Sequence, residues 1–308
     1  MKRTSDCLSE AEWLKERKKD ITSTEVAALF SASPYWTKFS LWHSKKGNYE
    51  HEVKETERTW FGKAMQGMVA KEACERLEDT LEHVHLPPAD GLIPYSRIEG
   101  LRIGSSIDHT TTWRGKQENV LIEVKCVDYY IHKQTWIEDQ PPAHIQFQCQ
   151  HQMLVTGIDH LLLAVFIGGN HLRTIMVEKD EKIHEEILKR CAAFWKTVDN
   201  NEEPDPEEVD ADVIVSMNQA CEPGLNLLDA SNVIPDQDVL EYSSLGKEIK
   251  ELEKKRKYLK AMILRNLGNY ATAQGNNWKI STSTVEGKEI SYVREPYRTF
   301  RVTVKKEK

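Results

Sequence analysis

The spacing of apolar residues changes period along this chain, and each change marks an element. In DITSTEVAALF, residues 20–30, Thr22 and Glu25 stand at the S/T-x-x-E interval of a capping box ahead of an apolar run, which predicts a helix start. SPYW ends it, and TKFSLWHSKKG predicts a short second helix. Phe61, Met65, Met68, Val69, Ala73, Arg76 and Leu77 recur at intervals of three and four, predicting a helix over residues 60–79 despite two glycines. From Leu92 to Val127 the period falls to two, as in strands. LRIGSSID puts Leu101, Ile103, Ser105 and Ile107 on one face and leaves Asp108 at the strand end on the other. RGKQEN then turns the chain into the strand VLIEVKCV, residues 120–127. HIQFQCQHQMLVTG predicts a helix with Gln146 and Gln150 on one face. HLLLAVFIGG and LRTIMVEKD predict a buried strand and its partner, and KIHEEILKRCAAFWKTV a closing amphipathic helix.

Beyond that helix the pattern changes character. DNNEEPDPEEVDAD is acidic and carries prolines, the composition of a linker. The expected organisation is a first domain over residues 1–200, a linker over 201–212 and a C-terminal extension over 213–308. In the extension, Leu245, Ile249, Leu252, Leu259 and Ile263 mark a long charged helix, and NWKISTSTVEGKEISYV with TFRVTV predicts a small antiparallel sheet.

The strand VLIEVKCV poses a chemical problem. Val120, Ile122, Val124 and Cys126 line one face, so Glu123 and Lys125 share the other with Leu121 and Val127. The two charges stand roughly 6.6 Å apart along a strand, a spacing at which both converge on one ligand. With Asp108 they form the pattern D-x14-E-x-K. Two carboxylates on adjacent strands offer oxygen ligands to a hard divalent ion such as Mg²⁺, which keeps further positions for water and substrate phosphate. The lysine then acts on the attacking water or neutralises charge developing on the phosphate. A glutamine amide on the following helix suits the support of such a lysine. The hydroxyls of Thr22 and Thr24, with Arg17 upstream, suit an anion.

Bulk composition narrows the classes without choosing among them. The 308 residues are 39% hydrophobic and 30% charged, enough for one large globular domain or two smaller ones. A net charge of −7 argues against a surface that coats nucleic acid indiscriminately and leaves room for a local basic channel. Apolar runs fall short of the ~20 residues that cross a bilayer, and MKRTSDCLSEAEWLKERKKD lacks the apolar segment of a signal peptide, so a cytoplasmic protein without membrane partners is expected. The six cysteines are scattered without a CxxC pair, which argues against zinc ribbons and clustered iron–sulfur ligands.

RKKDITSTEVAALFSASPYWTKFSLWHSKKG, GSSID, LIEVKC and QCQHQMLVTG occur in the order and at roughly the spacing of the YqaJ-type viral recombinases, and the chain resembles that family over about residues 17–200. The family is related to lambda exonuclease within the PD-(D/E)xK nuclease superfamily. The resemblance implies an α+β fold with a restriction-endonuclease-like core, a central mixed sheet flanked by helices, to which this chain adds its C-terminal extension. It implies a Mg²⁺-dependent exonuclease, with Mn²⁺ as a substitute ion, that digests the 5′ strand of linear duplex DNA and leaves a 3′ overhang for a single-strand annealing protein. By motif, Asp108, Glu123 and the Val124 carbonyl would hold the metal, Lys125 would act on the water and Gln150 would support it. Arg17, Thr24 and Ser106 would match the pocket for a 5′-terminal phosphate. The family's toroidal trimer implies a homo-oligomer threaded by DNA, working in the cytoplasm of a bacterial host. One position departs: in GKAMQGMVAKEA, Gln66 stands where the family pattern has glutamate. An amide lacks the carboxylate's charge, so a weakened, non-catalytic binder of DNA ends stays open as an alternative; a PD-(D/E)xK endonuclease is the other.

Overall fold

The computed structural model describes residues 2–50, 56–85, 92–217, 234–284, 286, 287 and 302. The chain divides into two compact units, Met1–Met217 and Asn218–Lys308. In the first, β1 (Arg3–Leu8) leads into α1 (Glu10–Arg17), α2 (Lys38–Lys46) and α3 (Glu57–Glu75). Strands β2 (Ile93–Ile98), β3 (Ile103–Ser106), β4 (His109–Thr112) and β5 (Asn119–Val127) follow. Helices α4 (Tyr129–Thr135) and α5 (Ala143–Thr156) then cross to β6 (His160–Ile167) and β7 (His171–Glu178). Helices α6 (Glu181–Asp199) and α7 (Ala211–Met217) complete the unit. The second unit contains α8 (Asp236–Leu267) and the short antiparallel pair β8 (Thr272–Gln274) and β9 (Lys279–Ser281).

A mixed four-stranded sheet, ordered β4-β5-β6-β7, is the centre of the first unit. Strands β5 and β6 are parallel, joined through α4 and α5, whereas β4 and β7 run antiparallel to their neighbours. The two parallel strands are nearly continuous in apolar residues because helices cover both faces. On one face, Val69, Ala70 and Ala73 of α3 pack against Val120, Ile122, Val124, Leu162 and Ala164. On the other, Ile145, Cys149 and Met153 of α5 pack against Leu121, Leu161, Leu163 and Val165. This is the α+β arrangement, a central mixed sheet flanked by helices, that the sequence led us to expect. A second, three-stranded sheet, β1-β2-β3, lies in the same unit. The first strand and α1 were not foreseen in sequence, because Arg3–Leu8 is mostly polar and exposed.

Several expected boundaries shift for local reasons. The predicted helix after Thr22 is a five-residue 3-10 turn, Val26–Phe30, closed by Ser31 at φ 51°. Only half of its capping box forms: the Glu25 carboxylate accepts from the Thr22 N–H at 2.9 Å, while the Thr22 hydroxyl turns to Thr24 at 3.3 Å. The helix expected over 60–79 begins earlier, because Thr56 and Thr59 make a reciprocal cap, and stops at Glu75. The acidic stretch expected as a linker is anchored: buried Asp210 accepts from the Thr37 hydroxyl at 2.6 Å and from the Glu207 N–H at 2.8 Å. The TFRVTV half of the expected C-terminal sheet lies outside the described residues.

Candidate active site

Strand β3 ends at Ser106 in the three-stranded sheet and β4 begins at His109 in the central one, so Asp108 sits where the chain passes between sheets. The pairing of β4 with β5 covers residues 119–122 of β5 and stops there. Past that point the Val124 N–H is released from the ladder and donates to Asp108 Oδ2 at 3.1 Å. The break in regular structure is therefore what brings Asp108 beside Glu123 and Lys125. From the other face, the Gln66 side chain on α3 donates to the Asp108 carboxylate.

Glu123 is 3% exposed, and its charge is held by three donors. Lys125 Nζ lies 2.6 Å from Oε1, the Gln148 amide donates to Oε1 at 2.7 Å, and the Gln152 amide donates to Oε2 at 2.7 Å. Gln148 and Gln152 are four residues apart on α5 and so share the face that looks onto β5. Gln150, expected to support Lys125, is two residues from each and points about 200° around the helix. Its amide instead donates to the Glu178 carbonyl at 2.8 Å and accepts from the Asp180 N–H at 2.9 Å, joining β7 to α6. The glutamine run was the right signal read at the wrong phase.

The electrostatics follow from this geometry. Burial and the nearby Glu123 charge push the Asp108 carboxyl up to about 7, against the opposing pull of Lys125 and the Val124 and Gln66 hydrogen bonds. Burial disfavours the Lys125 ammonium, yet Glu123, and then Asp108, outweigh it and hold the lysine above its ordinary value. Burial and Lys125 together depress His144, whose ring meets that of exposed Tyr35 edge-on at 6.2 Å. His144 therefore lies within electrostatic reach of Lys125, a neighbour that the sequence patterns did not single out.

A buried Glu123 and a half-buried Asp108, the latter reluctant to ionise, form a pair that a cation would stabilise. The available atoms are oxygens, from Asp108, Glu123 and the Val124 carbonyl, and that donor set suits a hard divalent ion. Among the described residues no group of three or more His, Cys, Asp and Glu side chains comes together, so such an ion would keep several waters, as Mg²⁺ does.

The residues expected at a phosphate pocket fall into two linked arms. The Arg17 guanidinium lies over the Trp13 ring at 4.6 Å, and the Trp13 indole N–H donates to the Ser106 hydroxyl at 3.0 Å. Trp13, missed in sequence, therefore ties Arg17 to a strand end two residues from Asp108. In the second arm, Lys45 Nζ donates to the Arg17 carbonyl at 3.4 Å and to Glu25 at 2.8 and 2.9 Å. Glu25 in turn holds the Thr22 backbone, and the Thr22 hydroxyl reaches Thr24, whose side chain is open to solvent.

The chain is 25% identical over 197 residues to the uncharacterized protein YqaJ of Bacillus subtilis (strain 168), an alignment covering 61% of this chain. It spans little more than half of that relative, 56% of its length. Among solved structures it is similar to an alkaline exonuclease from Laribacter hongkongensis, at 19% identity and a TM-score of 0.47, over 62% of this chain and 93% of that one. It is also similar to a phage-related exonuclease from Haemophilus somnus 129PT, at 11% identity and a TM-score of 0.42, over 59% and 94% of the two chains. Residues 12–159, which carry Trp13, Arg17, Gln66, Asp108, Glu123, Lys125, Gln148 and Gln152, match the family model for the YqaJ-like viral recombinase domain.

Proposed function

We propose that this domain is a Mg²⁺-dependent exonuclease that removes the 5′ strand of linear duplex DNA and leaves 3′ single strands for an annealing protein. The observation that carries the reading is the convergence of Asp108, Glu123 and Lys125 at a break in the β4–β5 ladder, with amides from α3 and α5 holding the carboxylates. Asp108, Glu123 and the Val124 carbonyl would hold the ion, with Mn²⁺ able to replace Mg²⁺. When bound, the ion supplies charge neutralisation at the scissile phosphate and acidifies water beside it. Lys125, kept charged by its carboxylate neighbours, orients the attacking water and neutralises charge on the phosphoryl oxygens. Gln148 and Gln152 keep the Glu123 carboxylate from rotating away. Arg17, Thr24 and Ser106 receive the 5′-terminal phosphate, with Trp13 fixing two of them. On this reading the protein acts in the cytoplasm of a bacterial host.

The test is release of nucleotides from end-labelled linear duplexes, with and without a 5′ phosphate, in Mg²⁺ and in EDTA, beside a covalently closed circle. Label should leave the 5′-phosphorylated duplex fastest, in Mg²⁺ alone, and the circle should survive. Cutting of the circle would make the protein an endonuclease. Binding of linear ends without any metal-dependent release would favour the second reading, a DNA-end binder with a weakened site, which Gln66 beside Asp108 supports.

A further inference from the structure

Helix α8 is 32 residues long, and its apolar side chains are left in solvent. Leu245, Ile249, Leu252, Leu259 and Ile263 are each between 46 and 58% exposed. Their intervals are four, three, seven and four, which places Ile249 and Ile263 at a positions and Leu245, Leu252 and Leu259 at d positions of one heptad register. The register runs from Tyr242 to Asn266, about three and a half heptads, long enough to distinguish a coiled-coil seam from an ordinary amphipathic stripe.

We propose that α8 docks on α8 of a second copy of this chain as an antiparallel coiled coil. The charges choose the occupant and its direction. In a parallel pair, Arg256 at an a position would meet its own copy across the seam, and the flanking g and e positions would oppose Glu248 to Glu253 and Lys255 to Lys260. Turning one helix end for end about a point between Lys250 and Glu251 removes each conflict. Arg256 then lies against Leu245 of the other copy, Ile249 against Leu252, and Tyr242 against Leu259. Glu248 faces Lys255 on both sides of the two-fold axis, as an isologous interface requires. The two helices overlap over nearly their whole length in this alignment.

The experiment is the solution mass of the full chain by sedimentation equilibrium, compared across variants. Leu252→Glu should halve the mass of the wild-type assembly, since it buries a carboxylate against Ile249. Glu248→Lys should weaken association, and Glu248→Lys with Lys255→Glu should restore it. After oxidation, the Leu245→Cys/Arg256→Cys chain should yield a disulfide-linked dimer absent from the wild type, whereas Arg256→Cys alone should not. A wild-type chain that stays monomeric, a mass unaltered by Leu252→Glu, or cross-linking through Arg256→Cys alone would each overturn the proposal. DNA cleavage plays no part in the readout, so the result stands apart from the nuclease reading.

Discussion

At the scale of single residues, the site is a set of charges balanced by amides. Lys125→Met should lower nucleotide release by about 10²–10⁴-fold with little change in DNA-end affinity, the range expected when a positioned proton-handling group is lost. Replacing Gln148 or Gln152 by leucine leaves a lone pair of buried Glu123 unsatisfied, a cost of about 1–3 kcal/mol in stability. Thermal melts and Mg²⁺ titrations should both register it. Gln150→Leu should loosen the β7–α6 junction and leave Mg²⁺ affinity near wild type. Gln66→Glu adds a carboxylate beside Asp108. It should lower the melting temperature of the metal-free protein and raise, or at least preserve, Mg²⁺-dependent cleavage, and a clear loss of cleavage would remove Gln66 from the site.

Asp108 also sets a pH dependence. Its folded-state value, about 7, lies above the ordinary aspartate range, so the folded chain holds this proton more tightly than the unfolded one. Its contribution to the stability of the metal-free chain is greatest below about pH 4 and is lost as the pH rises toward about 7. A divalent ion competes with that proton, so stabilisation by Mg²⁺ should grow as the pH rises through the same value, with proton release on binding. Melting curves with Mg²⁺ and with EDTA, at about pH 5.5 and about pH 8.5, test both directions. Asp108, Glu123 and Lys125 were legible in sequence because a strand alternates faces whatever surrounds it. Gln150 was not, since a helix periodicity shows which residues share a face but not which face meets the sheet.

At the scale of elements, the phosphate arm depends on a buried ion pair. The Lys45 and Glu25 side chains are 2% and 7% exposed, so neither charge has bulk water to fall back on. Lys45→Met should destabilise the fold by about 3–5 kcal/mol, because it strands a buried carboxylate. Removing both charges together should cost less. Cleavage in the surviving folded fraction should lose its preference for 5′-phosphorylated over 5′-hydroxyl ends, read as a ratio of rates. The neighbouring strand is equally constrained. A Cβ on Gly104 would collide with the Tyr95 hydroxyl and with the Asp20 carboxylate that Tyr95 and Arg97 share. Gly104→Ala should therefore cost about 1–3 kcal/mol in a chemical denaturation, the range for overpacking. Strand and helix identities were mostly readable from period. The 3-10 turn was not: the sequence of a capping box is satisfied by Glu25, but Lys45, twenty residues away, takes up the same carboxylate and competes for its geometry.

At the scale of the molecule, the acidic stretch after α6 shows how composition misleads about tertiary role. Prolines and carboxylates suggest a solvated linker, yet Asp210 is 1% exposed and tied to Thr37 at the start of α2. A chain ending at Met217, the edge of the first compact unit, should fold and retain metal-dependent hydrolysis. One ending before Glu207 should lose about 1–3 kcal/mol, because Thr37 then loses a buried partner. Comparative denaturation of the two truncations decides this. No helix among the described residues is long and apolar enough to cross a membrane.

The sequence by itself determined the alternation that puts Glu123 and Lys125 on one face of β5, the α+β order of elements and the match of residues 12–159 to a family model. These are properties of covalent spacing and local period, and they survive any packing. Tertiary structure decided that Asp108 lies between two sheets, that the Val124 N–H leaves its ladder to reach it, and that Gln148 and Gln152 rather than Gln150 hold Glu123. Those outcomes depend on where a strand pairing stops and on how one helix is rotated against the sheet. Both are set by contacts between residues distant in the chain.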